Sequence, residues 1–118
     1  MQLTVESTTN KFTIYLDHPK KISNISLLGA VINFPSAATS AYIYCDKIDP
    51  EKRLYNGKRN TLLAVICKRE ANQLVFDSKQ KIKIPLSCGE ARSLTFEIKD
   101  KDKNRLNISS VVLELDIE

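Results

Sequence analysis

The stretch Ser40–Glu70 reads SAYIYCDKIDPEKRLYNGKRNTLLAVICKRE and places a charged segment between two apolar runs. In the first run Ile43 and Cys45 alternate with Tyr42 and Tyr44, so an extended chain has one apolar face and one aromatic face. This period of two is typical of a β-strand with one buried face. The second run, LLAVIC, is apolar throughout, which favours a central strand that is covered on both faces.

The charged segment between the two runs predicts an exposed loop over residues 49–60, at one end of the fold. Within it, Asn56-Gly57 is a strong signal for a type I′ turn, because both central residues of that turn have positive φ. We therefore expect the chain to reverse direction at these two residues.

The same alternation recurs along the rest of the chain, while no window of helical length keeps apolar residues at helical spacing. In KIKIPL, the pattern directs Ile82, Ile84 and Leu86 to one side. Pro85 has no backbone donor, so that strand is expected to lie at a sheet edge or to end there. The predicted strands number about nine and span 3–7, 12–17, 25–34, 41–48, 61–69, 73–76, 81–86, 94–99 and 110–117.

Many short alternating strands with frequent turn signals are typical of two antiparallel sheets packed face to face. At 118 residues the chain has the usual size of one domain. We therefore predict an all-β fold with little helix: a single-domain antiparallel β-sandwich over residues 1–118.

The composition is 42% hydrophobic and 27% charged, as in an ordinary globular protein. No apolar run approaches the roughly 20 residues of a membrane-spanning helix, so no membrane insertion is expected. The opening MQLTVESTTNKF lacks the basic and apolar regions of a secretory signal. The net charge is +4, but the basic residues are scattered and interleave with acids. Nucleic-acid binders normally gather them on one face, so no nucleic-acid partner is expected.

Residues that usually carry chemistry are sparse. His18 is the only histidine, which leaves a catalytic triad without a second candidate base. Cys45, Cys67 and Cys88 are widely spaced and include no CxxC pair, so they form no recognisable zinc site and favour reduced thiols. We expect no catalytic residue, no cofactor and no metal site, and we do not expect an enzyme.

Two of the cysteines lie in the apolar runs of the 40–70 stretch. The simplest interpretation of Cys45 and Cys67 is that each is a small buried hydrophobic side chain. The alternative, a cross-strand disulfide between them, requires that their two strands are neighbours.

Two acidic segments have structural interpretations. Asp100, Asp102 and Asn104 match the first ligand positions of a calcium loop, but Arg105 stands where that loop needs glycine. We predict instead an acidic turn between two strands, in which Asn104 tolerates a left-handed backbone. A second group alternates along one face of the last strand and predicts a solvated surface with basic partners: Glu114, Asp116 and Glu118.

The candidate interface is aromatic and basic. If Ile43 faces the core, Tyr42 and Tyr44 face outward and indicate either a cross-strand aromatic ladder or an interface. A platform for single-stranded nucleic acid is a weaker interpretation, because the sequence adds no clear basic groove to that face. Three side chains of the 49–60 loop complete the predicted interface: Arg53, Tyr55 and Lys58.

Three pieces of the chain carry a family resemblance. They are TTNKFTIYLDHPKKISNISLLGAVINF near the start, AYIYCDKIDP with a charged loop and NTLLAVICK in the middle, and LTFEIKDKDKNRLNISSVVLELDIE at the end. Together they resemble a family of virus-derived proteins found in large virus-like DNA transposons of the Maverick or Polinton type and in related adintovirus-like elements of animal genomes. The last piece resembles the family's closing hairpin, which is a strand, an Asp-rich turn and a final strand.

The resemblance implies a structural protein of a virion, synthesised and assembled inside the host cell. It implies a sandwich of jelly-roll or TNF-like type in a capsid, penton or spike head, which works by self-assembly. The 49–60 loop would then contact a neighbouring subunit, another virion protein or a host receptor. By analogy with other viral sandwiches we expect a homotrimer.

Two other interpretations stay open. A non-viral β-sandwich module for protein–protein interaction would be a monomer with an exposed edge strand. A nucleic-acid-binding β-barrel is favoured by the pI of about 9.0 and opposed by the scattered charge.

Overall fold

The structure, a computed structural model, describes residues 1–34, 38–87 and 89–118. Over these ranges the ordered elements are β-strands joined by turns, and none is a helix long and apolar enough to cross a membrane. The prediction of an all-β antiparallel fold is confirmed, with more and shorter strands than expected. The strands are β1 (Gln2–Ser7), β2 (Lys11–Lys20), β3 (Asn24–Asn33), β4 (Ala41–Cys45), β5 (Leu54–Tyr55), β6 (Lys58–Arg59), β7 (Leu62–Ile66), β8 (Lys68–Glu70), β9 (Gln73–Asp77), β10 (Ile84–Pro85), β11 (Ala91–Lys99) and β12 (Ser110–Ile117).

The strands form two packed sheets and one separate hairpin. The larger sheet has the order β1-β12-β3-β9-β8, and β10 pairs with the part of β3 that β9 leaves uncovered. The smaller sheet has the order β2-β11-β4-β7, and β5 pairs with β6 alone. Every one of these pairings is antiparallel, as the alternating sequence pattern predicts.

The strand order is that of a chain folded in half and then wrapped around itself. Early strands pair with late ones: β1 with β12, β2 with β11, β3 with β9, and β4 with β7. These pairs make one long double ribbon, which turns back on itself between β4 and β7. Wrapping places alternate pairs in opposite sheets and brings β12 against β3 and β11 against β4. This nested order is the jelly roll.

The core lies between the sheets and is built by alternation. On β4, Ile43 and Cys45 are fully buried, so the prediction that they face the core is confirmed. On β11, Phe96 is also fully buried and stacks on Phe12 of the neighbouring strand, with ring centroids 5.6 Å apart. The larger sheet contributes a matching set of fully buried side chains: Ile25, Ile32, Leu74, Leu113 and Leu115. Each such side chain contributes about 1.5–3 kcal/mol by leaving water.

The prediction of one continuous strand over 61–69 is wrong, because the chain leaves the smaller sheet after β7 and enters the larger sheet at β8, with Cys67 between them. β7 is the edge of the smaller sheet, so the prediction of a central strand for LLAVIC is also wrong. Its continuous apolar run has another cause. The register of β4 and β7 shifts at Leu63, and both Leu62 and Leu63 are therefore buried instead of alternating.

The segment over 81–86 forms a strand only at Ile84–Pro85. Ile82 is 61% exposed, so the predicted inward direction of this side chain is wrong. Residues that are not paired in a β-ladder need not alternate between the two faces of a sheet. The expected role of Pro85 is confirmed, since β10 is short and lies at the margin of its sheet.

Two other predicted strands have different ends. β2 continues to Lys20, which pairs with Ala91 beyond an irregularity in the ladder. β4 ends at Cys45, because the chain turns there and Ile48 donates its N–H to the Cys45 carbonyl, 3.3 Å away. Ile48 then makes an isolated bridge to Leu86.

The segment that resembles a closing hairpin is not a hairpin, because β11 and β12 lie in different sheets. The connection after β11 begins with the expected acidic turn. The Asp100 carboxylate accepts the N–H groups of Asp102 and Asn104 at 2.9 and 3.0 Å. The left-handed residue of this turn is Lys103, with φ of 66°, and not Asn104.

The two cysteines of the 40–70 stretch lie at opposite ends of the β4–β7 pair. Cys45 donates its N–H to the Thr61 carbonyl, while Cys67 follows Ile66, which pairs with Ala41. This offset of roughly 15 Å along the strands is too large for a disulfide between them. Cys45 is buried as predicted, whereas Cys67 is exposed, so the prediction for Cys67 is wrong. Cys88 lies outside the described residues.

Candidate functional site

The outer face of the smaller sheet carries two tyrosines of β4. Tyr42 and Tyr44 alternate with buried Ile43 and therefore point away from the core. On the neighbouring strand β11, Lys99 pairs with Tyr42. The Lys99 ammonium lies 5.2 Å from the centre of the Tyr44 ring, a cation–π contact that holds a positive charge against the aromatic surface.

The β5–β6 hairpin supplies a third tyrosine. Asn56 and Gly57 have φ of 51° and 74°, which confirms the turn with two positive φ values that Asn-Gly predicts. The hairpin folds back over the sheet and brings Tyr55 against Tyr42, with ring centroids 6.2 Å apart and planes inclined by 85°. An edge-to-face arrangement of this kind is favoured by the ring quadrupoles.

The three tyrosines form the floor of a groove of about 600 Å³, here called the tyrosine groove. One wall is the β5–β6 hairpin and the other is the turn that follows β11. The described lining contains no acidic side chain. Its basic side chains come from both walls: Lys58, Arg59, Lys99, Lys101 and Lys103.

Two of these five basic groups are neutralised by acids outside the groove. Arg59 pairs with Glu51 at 3.1 Å, and Lys99 pairs with Glu97 at 3.6 Å. Within the described residues, the other three take part in no ion pair: Lys58, Lys101 and Lys103. The acids of the same turn, Asp100 and Asp102, line a different concavity. A concave surface lined by basic side chains focuses the electrostatic potential and attracts anions.

The tyrosine hydroxyls add no negative charge to the groove. The pKa of Tyr42 is raised above its ordinary value of 10.0, first by a hydrogen bond with Tyr55 and then by burial. Burial also raises the pKa of Tyr44, followed by the effect of Tyr55. Both hydroxyls are therefore neutral at physiological pH.

Four of the five predicted interface residues are brought together in the tyrosine groove: Tyr42, Tyr44, Tyr55 and Lys58. Arg53 is not among them. Its Nε donates to the Leu62 carbonyl at 2.8 Å, and its side chain lines a separate cavity of about 190 Å³. Apolar groups of both sheets surround that cavity, including Leu27 and Phe76.

The sequence does not predict the basic wall formed by Lys99, Lys101 and Lys103. The expectation that this face has no basic groove is wrong, because the antiparallel register places the end of β11 beside the start of β4. A signal exists for Lys99, which alternates with buried Ile98 and therefore belongs on the outer face. The sequence gives no indication that β11 and β4 are neighbours.

A second polar cluster fastens the 81–83 segment to β12. The buried Asp116 carboxylate accepts hydrogen bonds from the Lys81 ammonium and from the amino group of Met1, the latter at 3.0 Å. The Lys81 contact, followed by that of the amino group, lowers the pKa of Asp116 to about 2. Glu118 contacts Lys81 and Lys83. The basic partners are as predicted, but the solvated position expected for Asp116 is wrong.

A third feature is an apolar seam along one side of the sandwich. β1 and β2 are the edges of the two sheets and are joined by three residues, so these edges lie together. On the other side the chain passes from β7 to β8 through Cys67. Partly exposed apolar side chains follow the β1–β2 side, here called the open seam: Leu3, Phe12, Ile14 and Leu16.

Within the described residues there is no cluster of three or more histidines, cysteines or acids suited to holding a metal ion. A comparison with models of known protein families finds no match to this chain, and a comparison with curated proteins finds no relative.

Proposed function

We propose that this chain is a structural protein of a virus-derived element, a capsid, penton or spike-head component that acts by self-assembly and not as an enzyme. The observation that carries the proposal is the jelly-roll strand order, an architecture that viral capsid domains share with lectins and cupins. The resemblance of three sequence pieces to proteins of Maverick-type elements favours the viral member of that set.

The open seam is the surface that fits assembly best. β2 is an edge strand, so its outer backbone groups have no ladder partner among the described strands. Such an edge is a template for pairing with another chain. Phe12, Ile14 and Leu16 project from the same strand and are only partly covered. A second copy that lays a surface other than its own β2 along this strand would complete their burial. Such a heterologous contact closes into a ring when repeated, as the expected homotrimer requires.

The ends of β2 limit where such pairing occurs. Pro19 lacks a backbone donor, and the ladder to β11 is irregular just before Lys20. At the other end, the Lys11 ammonium lies 3.9 Å from the Glu97 carboxylate, so this side chain is directed toward the neighbouring strand β11. The window open to a neighbour is therefore the short stretch 12–16, which favours one register over a sliding contact.

A non-viral interaction module is the rival that the same seam supports. An edge strand with apolar side chains also accepts a single strand from a different protein. As such a module, this chain would be a monomer on its own. As the proposed virion component it assembles with its own copies, and a homotrimer is the expected form. The mass in solution separates the two.

The test is light scattering of the purified chain across a dilution series. We expect a stable mass of three times 13.4 kDa. Ile14→Lys places a charge in the open seam and should lower the mass to that of one chain, with the β-sheet circular dichroism retained. The matched control is Ile82→Lys at a 61% exposed position outside the open seam, which should leave the mass unchanged. A monomer at all concentrations contradicts the proposal and favours the interaction module.

A further inference from the structure

The tyrosine groove combines two properties that the assembly role does not use. It gathers basic side chains on two walls, and it presents aromatic rings between them. We propose that this groove binds single-stranded nucleic acid, with phosphates held by the lysines of the walls and bases held against the tyrosines. The groove and the open seam lie on different strands, so this inference does not depend on the proposed function.

Charge complementarity identifies the ligand as an anion. Lys58 projects from the hairpin, while Lys101 and Lys103 project from the turn after β11, and all three are exposed. Since none of them is in an ion pair of the described chain, their charges are available to a ligand that lies between the walls. Ammonium groups on both sides of a groove are suited to an extended backbone of phosphates.

The aromatic floor favours a nucleic acid over other polyanions. A sulfated glycan has no aromatic rings of its own, whereas bases stack on aromatic side chains irrespective of sequence. The face of the Tyr44 ring toward Lys99 is already occupied by the ammonium. Tyr42 and Tyr55 are both partly exposed and form the part of the floor that bases can reach.

A single strand fits this arrangement better than a duplex. In a duplex the base faces are stacked on one another, so aromatic side chains cannot reach them without unstacking. A single strand exposes those faces and bends to follow a short groove. The site therefore predicts preference for strand over duplex and little preference among sequences.

The first measurement is fluorescence anisotropy with a fluorescein-labelled oligothymidylate of about 12 nucleotides, a length within the range of single-strand sites. We expect binding at about 50 mM salt that weakens as the salt concentration rises. Three lysine–phosphate contacts predict a slope of about −2 for the logarithm of the affinity against the logarithm of salt. A duplex of equal length should bind more weakly.

Two groove variants separate the charge from the stacking. Lys101→Gln together with Lys103→Gln should lower the magnitude of the slope to about 1. The matched control is Lys21→Gln with Lys79→Gln, which removes the same charge from exposed positions outside the groove and should leave the slope unchanged. Tyr55→Leu should weaken binding about tenfold without changing the slope, because stacking releases no counterions.

A second measurement keeps the test valid if Tyr55→Leu loosens the hairpin. The chain has four tyrosines and no tryptophan, and the fourth, Tyr15, is 79% exposed on β2. Tyr15 pairs with Ser93, about 20 Å along β11 from Lys99. In Tyr15→Phe, all tyrosine fluorescence arises from the groove, and saturating oligothymidylate should quench it.

Three outcomes overturn the inference. One is no binding of the oligonucleotide at about 50 mM salt. Another is equal loss of affinity in the groove and control lysine variants, which indicates attraction by net charge. The last is binding that leaves the tyrosine fluorescence of Tyr15→Phe unquenched, together with heparin that competes as well as the oligonucleotide at matched charge. That result would assign the groove to sulfated glycans.

Discussion

The rings of Tyr42 and Tyr55 meet edge to face, with centroids 6.2 Å apart. Through this contact the β5–β6 hairpin is attached to the face of the smaller sheet and forms one wall of the tyrosine groove. The hairpin has only two residues in each strand, so its own ladder contributes little. Its position therefore depends on the tyrosine pair and on the hydrogen bond from Arg53 to the Leu62 carbonyl.

We predict a measurable coupling between these two tyrosines. In a double-mutant cycle of Tyr42→Leu and Tyr55→Leu, the free energies of unfolding should differ from additivity by about 0.5–1.5 kcal/mol. Urea denaturation measures the four proteins of the cycle. The control cycle pairs Tyr42→Leu with Tyr15→Leu, which lie far apart on the sheet and should be additive. Additivity in both cycles would show that the ring contact contributes nothing.

The turn of the hairpin should depend on Gly57. Its φ is 74°, and a Cβ at this position meets no atom within 4 Å, so the cost of Gly57→Ala is that of the left-handed backbone alone. That cost is about 1–2 kcal/mol. Hydrogen exchange of the hairpin amides measures the effect where it is expected, because a short hairpin opens before the sandwich. Gly89→Ala, which also meets no atom within 4 Å, is the matched control and should not change hairpin exchange.

Removing the Phe96 ring should destabilise the core strongly. Phe96 is fully buried between the sheets, and Phe96→Ala should lower the free energy of unfolding by about 3–5 kcal/mol. Its stacking partner Phe12 lies in the open seam and is only partly buried, so Phe12→Ala should cost less in the separated chain. Chemical denaturation of dilute samples compares the two. Equal costs would indicate that Phe12 is covered, as it would be in a stable assembly.

The stability of the fold at low pH should depend on Asp116. Its pKa in the folded chain, about 2, lies below the ordinary value of 3.8 because the carboxylate is bound to Lys81 and to the amino group of Met1. A carboxyl with a depressed folded pKa stabilises the fold above its unfolded pKa, and the contribution is lost as pH falls toward the folded value. The contribution of Asp116 is therefore complete above about pH 4 and disappears by about pH 2.

Asp116→Asn should consequently be less stable than the natural chain at neutral pH, and the two stabilities should converge between pH 4 and pH 2. Thermal unfolding over a pH series measures this convergence. Glu114→Gln, which changes an exposed carboxyl two residues away on the same face, is the control for the loss of one negative charge from β12. A constant difference between Asp116→Asn and the natural chain at every pH would contradict the assignment.

The sequence predicts those features of this fold that depend on local pattern. Alternation places Ile43 inside and Tyr42 outside correctly, because neighbouring residues of a strand must face opposite ways. Asn56-Gly57 predicts its turn correctly because the constraint lies in the two residues themselves. The exposure of Ile82 could not be predicted, since a segment can show alternation without being held in a ladder.

The groove could be predicted only in part, because half of it depends on which strands are neighbours. Tyr42 and Lys99 are far apart in the chain and meet through the β4–β11 register. Alternation assigns each of them to an outer face but does not say that the two faces adjoin. The apolar run LLAVIC could not be interpreted correctly for a related reason. A strand that is buried on both faces and a strand with a register shift, here at Leu63, show the same apolar pattern in the sequence.

The nested strand order also fixes when the fold can be completed. β12 lies between β1 and β3, so the larger sheet has a gap at its centre until the last strand is available. While the ribosome is still synthesising that strand, β3 presents one whole edge with no partner, and the apolar residues of both sheets are uncovered. Long-range pairing of this kind is slow, and chains caught before it are prone to aggregation. The sandwich is therefore expected to complete its folding only after β12 has left the ribosome, and to be prone to aggregation until then.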